Sequence, residues 1–231
     1  MIDRIFNSVD SALFDIFDGA TIMIGGFGGA GTPHNLVMGL IKSKAKNLTL
    51  ICNGFNNIIV MKDWRRISKV IMSFPTTTRS GGKANPILEG IESGEIDVEI
   101  VPQGVLAERI RSGGAGIPAF FTFTGAGTLL SESKETRNYH GKESVLETAL
   151  IADFALVQAW KSDRMGNLVY RKTARNFNPI MATAAKVVIA EVSELVTVGD
   201  MDGDGIHTPG IFVNRVVKIQ PKLTEIHQVK S

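Results

Sequence analysis

The residues of this chain best placed for chemistry are glycines and neutral amides rather than a cluster of acids, bases or thiols. Gly25-Gly26-Phe27-Gly28-Gly29-Ala30-Gly31 contains a G-x-G-x-x-G spacing at Gly26, Gly28 and Gly31. Glycines let a backbone approach a ligand closely, and free N–H groups ahead of a helix favour negative charge. A dinucleotide site built this way also needs an acidic residue about 20 residues further on, to bind ribose hydroxyls. The next apolar segment ends instead in Cys52-Asn53-Gly54, and Asp63 lies too far along. Three readings of the loop stay open from these residues: an anion or acyl-oxygen site made of backbone amides, a tight structural loop, and a dinucleotide site.

Other candidates carry less. Asp200, Asp202, Asp204 and Gly205 imitate the start of a calcium loop, but Ile211 stands where a bidentate glutamate is needed. His34, His140, His207 and His227 are scattered, so no zinc spacing exists and no metal site is expected. His207 has no Ser or Asp that sequence can place beside it and reads as structural or interfacial. Cys52 reads as a small core residue at a strand end. Arg164, Arg171, Lys172 and Arg175 form a local basic group, facing an acidic substrate, a phosphate or a partner, or paired on an ordinary surface.

The elements that position these residues alternate. A broad helical face over Ser8 to Phe17 stops at Asp18-Gly19, and Ala20 to Ile24 reads as a buried strand. After the glycines, Thr32 suits an N-cap and Pro33 the first helical position, opening a helix to about Ser43. Leu48 to Cys52, Lys69 to Ser73 and Ile96 to Val101 read as strands, with helices expected over Asn56 to Asp63, Asn85 to Glu92 and Val105 to Arg111. Gln103 thus follows a strand and opens a helix, where ligands collect in open α/β sheets; a capping amide is the alternative reading.

The second half is less regular. Short strands are expected at Phe120 to Phe123 and Ser144 to Leu146, around a turn-rich piece from Arg137 to Gly141. A stronger strand runs from Asp153 to Trp160, a turn from Asp163 to Asn167, and a further strand from Leu168 to Arg171. Asn178-Pro179 opens a short helix, and Lys186 to Val192 is an apolar, β-branched run suited to a central strand. The pattern predicts an α/β fold, an open, mostly parallel sheet with helices on both faces, in one continuous domain over residues 1–218. A polar tail, 219–231, follows.

Composition narrows the function classes. Lys+Arg 25 against Asp+Glu 23 leaves a net charge of +2, too little to imply a nucleic-acid surface. A hydrophobic content of 44% excludes disorder, and the single cysteine excludes an intrachain disulfide, so a reducing cytoplasm is the default location. The uncharged stretch from Ser112 to Ser131 approaches the length of a membrane span, but its glycines and Pro118 argue for a buried loop region instead. No membrane association is expected.

Taken together, Asp18-Gly19, Thr21 to Ile24, Gly25-Gly26-Phe27 with Gly31 and Pro33 resemble the first signature of the class I (3-oxoacid) CoA-transferases, in their A, or α, subunit. The match continues through Val101-Pro102-Gln103-Gly104, Ser112 to Pro118, Gly125 to Leu129, Gly166 to Lys172 and Ala174 to Pro179, and closes with Ile206 to Ile211. The resemblance implies the CoA-transferase (NagB/RpiA-like) fold, and coenzyme A as a substrate with no metal or redox cofactor. It implies acyl-CoA and carboxylic acid substrates, with CoA moved between succinyl-CoA and a short 3-oxoacid such as acetoacetate or 3-oxoadipate. It also implies a glutamate nucleophile in a Ser-Glu-Asn-Gly motif of a partner B subunit, in a heterodimer or heterotetramer. Ser131-Glu132-Ser133 lacks the Asn and Gly, so no catalytic nucleophile is expected in this chain. By family position, Gly25, Gly26, Phe27, Gly28, Gly29, Ala30, Gly31, Asn53 and Gln103 are the expected CoA or substrate contacts. Relatives often carry Asn-Asn where this chain has Asn53-Gly54. The alternatives kept beside this reading are a non-catalytic acyl-CoA or phosphometabolite-binding module on the same fold and a dinucleotide oxidoreductase.

Overall fold

The computed structural model describes residues 3–58, 61, 63–75 and 86–219. Among these described residues eight strands form one parallel sheet: β1 (Ile5–Phe6), β2 (Thr21–Ile24), β3 (Leu48–Cys52), β4 (Ile67–Met72), β5 (Asp97–Ile100), β9 (Ala152–Ser162), β11 (Ala185–Leu195) and β12 (Arg215–Lys218). Their order across the sheet is β1-β12-β11-β9-β2-β3-β4-β5, and β10 (Leu168–Val169) adds antiparallel to β9. A separate antiparallel sheet is made by β6 (Ala119–Thr122), β8 (Lys142–Thr148) and β7 (Thr136–Tyr139), in that order.

Alternation along each parallel strand divides the core in two. Ile22, Ile24, Leu50, Cys52, Val70, Met72 and Leu156 face one layer, under α1 (Val9–Ala12), α2 (His34–Lys42) and α3 (Pro86–Glu92). Met23, Ile51, Ile71, Ala155 and Val157 face the other, under α4 (Gln103–Gly114) and α5 (Asn178–Thr183). Strands buried on both faces read as continuous apolar runs, which is why β2, β3 and β11 are visible in the sequence. The expected open, mostly parallel sheet with helices on both faces is the observed architecture.

Strand order reverses beside β2. From there β3, β4 and β5 run to one side, while β9, β11 and β12 run to the other. Crevices at the carboxyl ends of strands flanking such a reversal are where open α/β sheets bind ligands.

Several boundaries differ from expectation for identifiable reasons. The first helix stops at Ala12 because Arg215 Nη1 donates to the Ala12 carbonyl at 2.7 Å and holds the Asp15 carboxylate. Thr32 is not an N-cap: its buried hydroxyl accepts from Asn57 Nδ2 at 3.1 Å, and α2 begins at His34 after Pro33. The cap comes from across the sheet, where Glu191 of β11 accepts from the Leu36 amide at 2.9 Å and from Asn35 Nδ2 at 3.3 Å.

Phe55–Asn57 is a single 3₁₀ turn, and the rest of the expected helix over 56–63 lies partly outside the described residues. Arg137 to Tyr139 is strand rather than turn, its ladder supported by Phe121 against Tyr139 and Arg137. Ser112 to Ser131 is not a buried loop region: it carries the end of α4, then β6, and most of its residues are exposed or half-exposed. Among the described residues no helix is long and apolar enough to cross a membrane. The polar tail falls almost wholly outside the described residues.

Candidate functional site

The glycine segment leaves the end of β2 and folds as a hairpin. Phe27 and Ala30 exchange backbone hydrogen bonds of 2.9 and 3.0 Å, so Gly28 and Gly29 form a two-residue turn. Both have positive φ, +55° and +90°, the requirement of a type I′ turn. Cβ atoms at these two positions would meet open space. Among the described residues the amides of Gly26, Gly28, Gly29 and Gly31 have no hydrogen-bond partner.

The outer glycines do something else. A Cβ on Gly25 would overlap Asn178 Oδ1, one on Gly26 would overlap Thr32 Oγ1, and one on Gly31 would overlap the Ala174 carbonyl. Two buried asparagines occupy the space that these glycines leave. Asn57 Nδ2 donates to the Gly25 carbonyl at 3.0 Å, and Asn178 Nδ2 donates to the Gly31 carbonyl at 3.0 Å. Asn178 Oδ1 accepts the Gln158 amide of β9 at 3.0 Å, tying the hairpin base to the neighbouring strand. The loop therefore divides into a packed base of Gly25, Gly26 and Gly31 and an open tip.

Asn53 and Gln103, 50 residues apart in sequence, meet at the ends of β3 and β5. Gln103 Nε2 donates to Asn53 Oδ1 at 2.7 Å. Gln103 is the first residue of α4, yet its amide turns away from the helix end, where Pro102 makes no side-chain cap. The capping reading of Gln103 is thereby corrected. Asn53 is only 4% exposed, and its carbonyl accepts the amides of Ser73 and Phe74. Phe74 also explains Gly54, since a Cβ there would lie 3.0 Å from the Phe74 carbonyl. A second asparagine would have to displace that backbone.

Two open cavities flank the amide pair and share Phe27, which is 45% exposed. One, of 340 Å³, is lined by Phe27, Gln103, Gly104, Ala107, Phe177 and Ile180 with Asn176. The other, of 240 Å³, is lined by Phe27, Gly28, Asn53, Gly54, Phe55 and Phe74 with Asn56 and Asn57. Apolar walls with a few placed amides suit an uncharged chain ending in a carboxylate or acyl oxygen. Such amides orient these groups without neutralising them.

Comparison with known proteins identifies the family to which this geometry belongs. Residues 6–219 match the family model for Coenzyme A transferase. The chain belongs to the Coenzyme A transferase family. It is 50% identical over 223 residues to the A subunit of 3-oxoadipate CoA-transferase from Pseudomonas putida, covering 95% of each chain. It is 43% identical over 222 residues to the A subunit of succinyl-CoA:3-ketoacid coenzyme A transferase from Helicobacter pylori, covering 94% of this chain and 93% of that one. The fold matches the acyl-CoA transferase YdiF apoenzyme of Escherichia coli with a TM-score of 0.81 at 19% identity, over 95% of this chain. This CoA transferase chain spans about half of that one, 47% of its length.

The remaining candidates in this CoA transferase chain fall into place physically. Glu132 is exposed after the turn Leu129–Ser131. His207 Nδ1 accepts the Tyr170 amide at 2.9 Å and its ring stacks on Tyr170, a structural role. Cys52 is fully buried, and desolvation pushes its thiol up to about 12, so it is inert. Asp202 accepts the amide of Asp204, and among the described residues no acidic, histidine or cysteine cluster could hold a metal.

Arg164 pairs with Asp3, whereas Arg171 lies over the Trp160 ring. Asn57, Asn178, Phe74 and Glu191 were not singled out by sequence reasoning. Asn178 had a signal, since a buried asparagine in Asn176-Phe177-Asn178-Pro179 needs partners. Glu191 was hidden inside an apolar run.

Proposed function

We propose that this chain is the A subunit of a heteromeric 3-oxoacid CoA-transferase that moves CoA between succinyl-CoA and a short 3-oxoacid such as acetoacetate or 3-oxoadipate. The observation that carries this reading is the Gln103–Asn53 amide pair set between two cavities that share Phe27. The names of the P. putida and H. pylori relatives support the substrate class and a B-type partner.

In this reading a B-subunit glutamate attacks the acyl-CoA carbonyl, and the thiolate of CoA leaves as a mixed anhydride forms. The thiolate then attacks the glutamyl carbonyl, giving the enzyme thioester and free carboxylic acid, and the second acid reverses both steps. Each step passes through a tetrahedral oxyanion, and one preorganised donor is worth roughly 2.7–4 kcal/mol there. Gln103 keeps one Nε2 proton beyond the bond to Asn53, and the unpartnered amide of Gly28 stands at the hairpin tip in the cavity that Asn53 lines. Asn53 positions Gln103, Phe27 walls the cleft, and Gly25, Gly26, Ala30 and Gly31 hold the hairpin in shape. Coenzyme A is a substrate, and no metal or redox cofactor takes part.

Reconstitution tests the reading. The chain co-purified with its B-type partner should convert succinyl-CoA and acetoacetate or 3-oxoadipate into the 3-oxoacyl-CoA, and the chain alone should not. Transfer by the chain alone, or none by the complex with either acid, would overturn it.

A further inference from the structure

On the α2 side of the hairpin lies a separate cavity of 750 Å³ that the Phe27 cleft does not use. Its walls include Gly29 and Gly31, Gln158 and Trp160 of β9, Arg171 and Lys172, and it opens beside the junction where strand order reverses. That junction is the favoured ligand position of an open α/β sheet.

The wall chemistry is that of an anion site. Of the cations nearby, Lys161 pairs with Glu194 and Arg164 with Asp3. Among the described residues Arg171 and Lys172 have no such carboxylate. Arg171 is held instead by Trp160, its guanidinium carbon 5.3 Å from the ring centroid. This fixes the guanidinium without consuming its charge. The amides of Gly29 and Gly31, also unpartnered among the described residues, add backbone donors to the same wall.

The segment carrying the cations is built onto the hairpin and strained. Lys172 has φ +51°, unfavourable for a side chain with a Cβ, and such strain persists only where surroundings impose it. Those surroundings are the bonds from Asn176 Nδ2 to the Ala30 carbonyl at 2.9 Å and from Asn178 Nδ2 to the Ala174 carbonyl at 2.9 Å. Among the described residues one acid, Glu191, lines the cavity, but both of its oxygens face donors on α2, and burial pushes its pKa up to about 7, which weakens its opposition to an anion.

We propose that this cavity is a second binding site, for a phosphate group, held by Arg171, Lys172 and the amides of Gly29 and Gly31. A phosphate fits better than a single carboxylate because its several oxygens can engage two cations and backbone donors together. Two sources share that chemistry: the phosphates of CoA, and a free phosphorylated metabolite. The site is independent of the transferase reading, since its readout is binding to this chain rather than turnover.

The test is calorimetric titration of the full chain at low salt with inorganic phosphate, CoA and 3′-dephospho-CoA. The wild type and the charge-preserving variant R171K/K172R should bind, and R171Q/K172Q should lose at least ~10-fold in affinity through the missing charge-assisted bonds. Weaker binding of 3′-dephospho-CoA than of CoA would assign the site to the CoA 3′-phosphate. Equal binding of all three probes would assign it to phosphate in general.

Absence of binding by every probe, or equal affinity in R171Q/K172Q, would overturn the proposal. If R171Q/K172Q does not fold, acetylation of Lys172 in the wild-type chain, followed by mass spectrometry, decides. Slowing by inorganic phosphate or CoA supports the site, and unchanged labelling overturns it.

Discussion

Gln103 Nε2 donates to Asn53 Oδ1 at 2.7 Å, tying the first residue of α4 to the residue that follows β3. The bond fixes a neutral amide at the carboxyl edge of the sheet, beside an open aromatic ring and a glycine turn. A carboxylate or acyl oxygen placed there meets donors whose orientation is already set, so little reorganisation is needed during reaction.

Because the two amides act as one unit, their losses should not add. Gln103→Ala is expected to lower kcat/KM about 10²-fold, the scale of a lost oxyanion donor, with the melting temperature nearly unchanged. Asn53→Ala should cost less, and little more once Gln103 is gone. Steady-state kinetics on the two single variants and the double variant of the assembled enzyme measure this coupling; additive effects would separate the two residues.

The hairpin predicts opposite tolerances within one glycine run. Gly25→Ala drives a methyl into the Asn178 carboxamide and should destabilise by about 3 kcal/mol or more, as overpacking of a rigid buried site does. Gly28→Ala meets open space and faces only the left-handed backbone penalty of roughly 1–2 kcal/mol. Thermal unfolding of the two variants distinguishes them, and equal losses would contradict the division into base and tip.

Glu191 makes stability depend on pH in an unusual direction. Its pKa rises from the ordinary 4.5 to about 7, chiefly by desolvation, so the native state holds a proton that the unfolded chain releases. With more protons bound when folded, stability falls as pH climbs through this window and levels off above it. The loss is a few kcal/mol at most, since each pKa unit is worth about 1.4 kcal/mol. Denaturant unfolding of wild type and Glu191→Gln from pH 4.5 to 8 checks this. The fall should vanish in the variant, and parallel curves would remove Glu191 as its source.

The parallel sheet was legible because strands buried on both faces stand out as apolar runs, and β3 was located residue for residue. The hairpin was not. Its G-x-G-x-x-G spacing matches a phosphate loop, and only the Phe27–Ala30 bridge and the bulk of Asn57 and Asn178 separate a turn from a helix-leading cradle. Nor could sequence find the Glu191 cap, since the partners lie 155 residues apart and neither carries a local capping pattern. Asn53 and Gln103 were singled out by family position, and their contact came from the meeting of β3 with α4.

Buried Cys52 provides a check on the native packing. Its thiol, pushed up to about 12 and inaccessible, should resist a disulfide reagent at pH 8 in the folded chain and react fully in denaturant. Fast labelling of the native protein would mean that the end of β3, and Asn53 beside it, is more open than described.

The central claim is that this chain supplies the oxyanion cleft while its partner supplies the nucleophile. The most direct measurement incubates the assembled enzyme with succinyl-CoA, traps the enzyme-CoA thioester with borohydride or hydroxylamine, and locates the modified glutamate by mass spectrometry. The expected result is one modified glutamate on the B-type partner with none on this chain; modification of Glu132 or any other glutamate of this chain would contradict the division of labour.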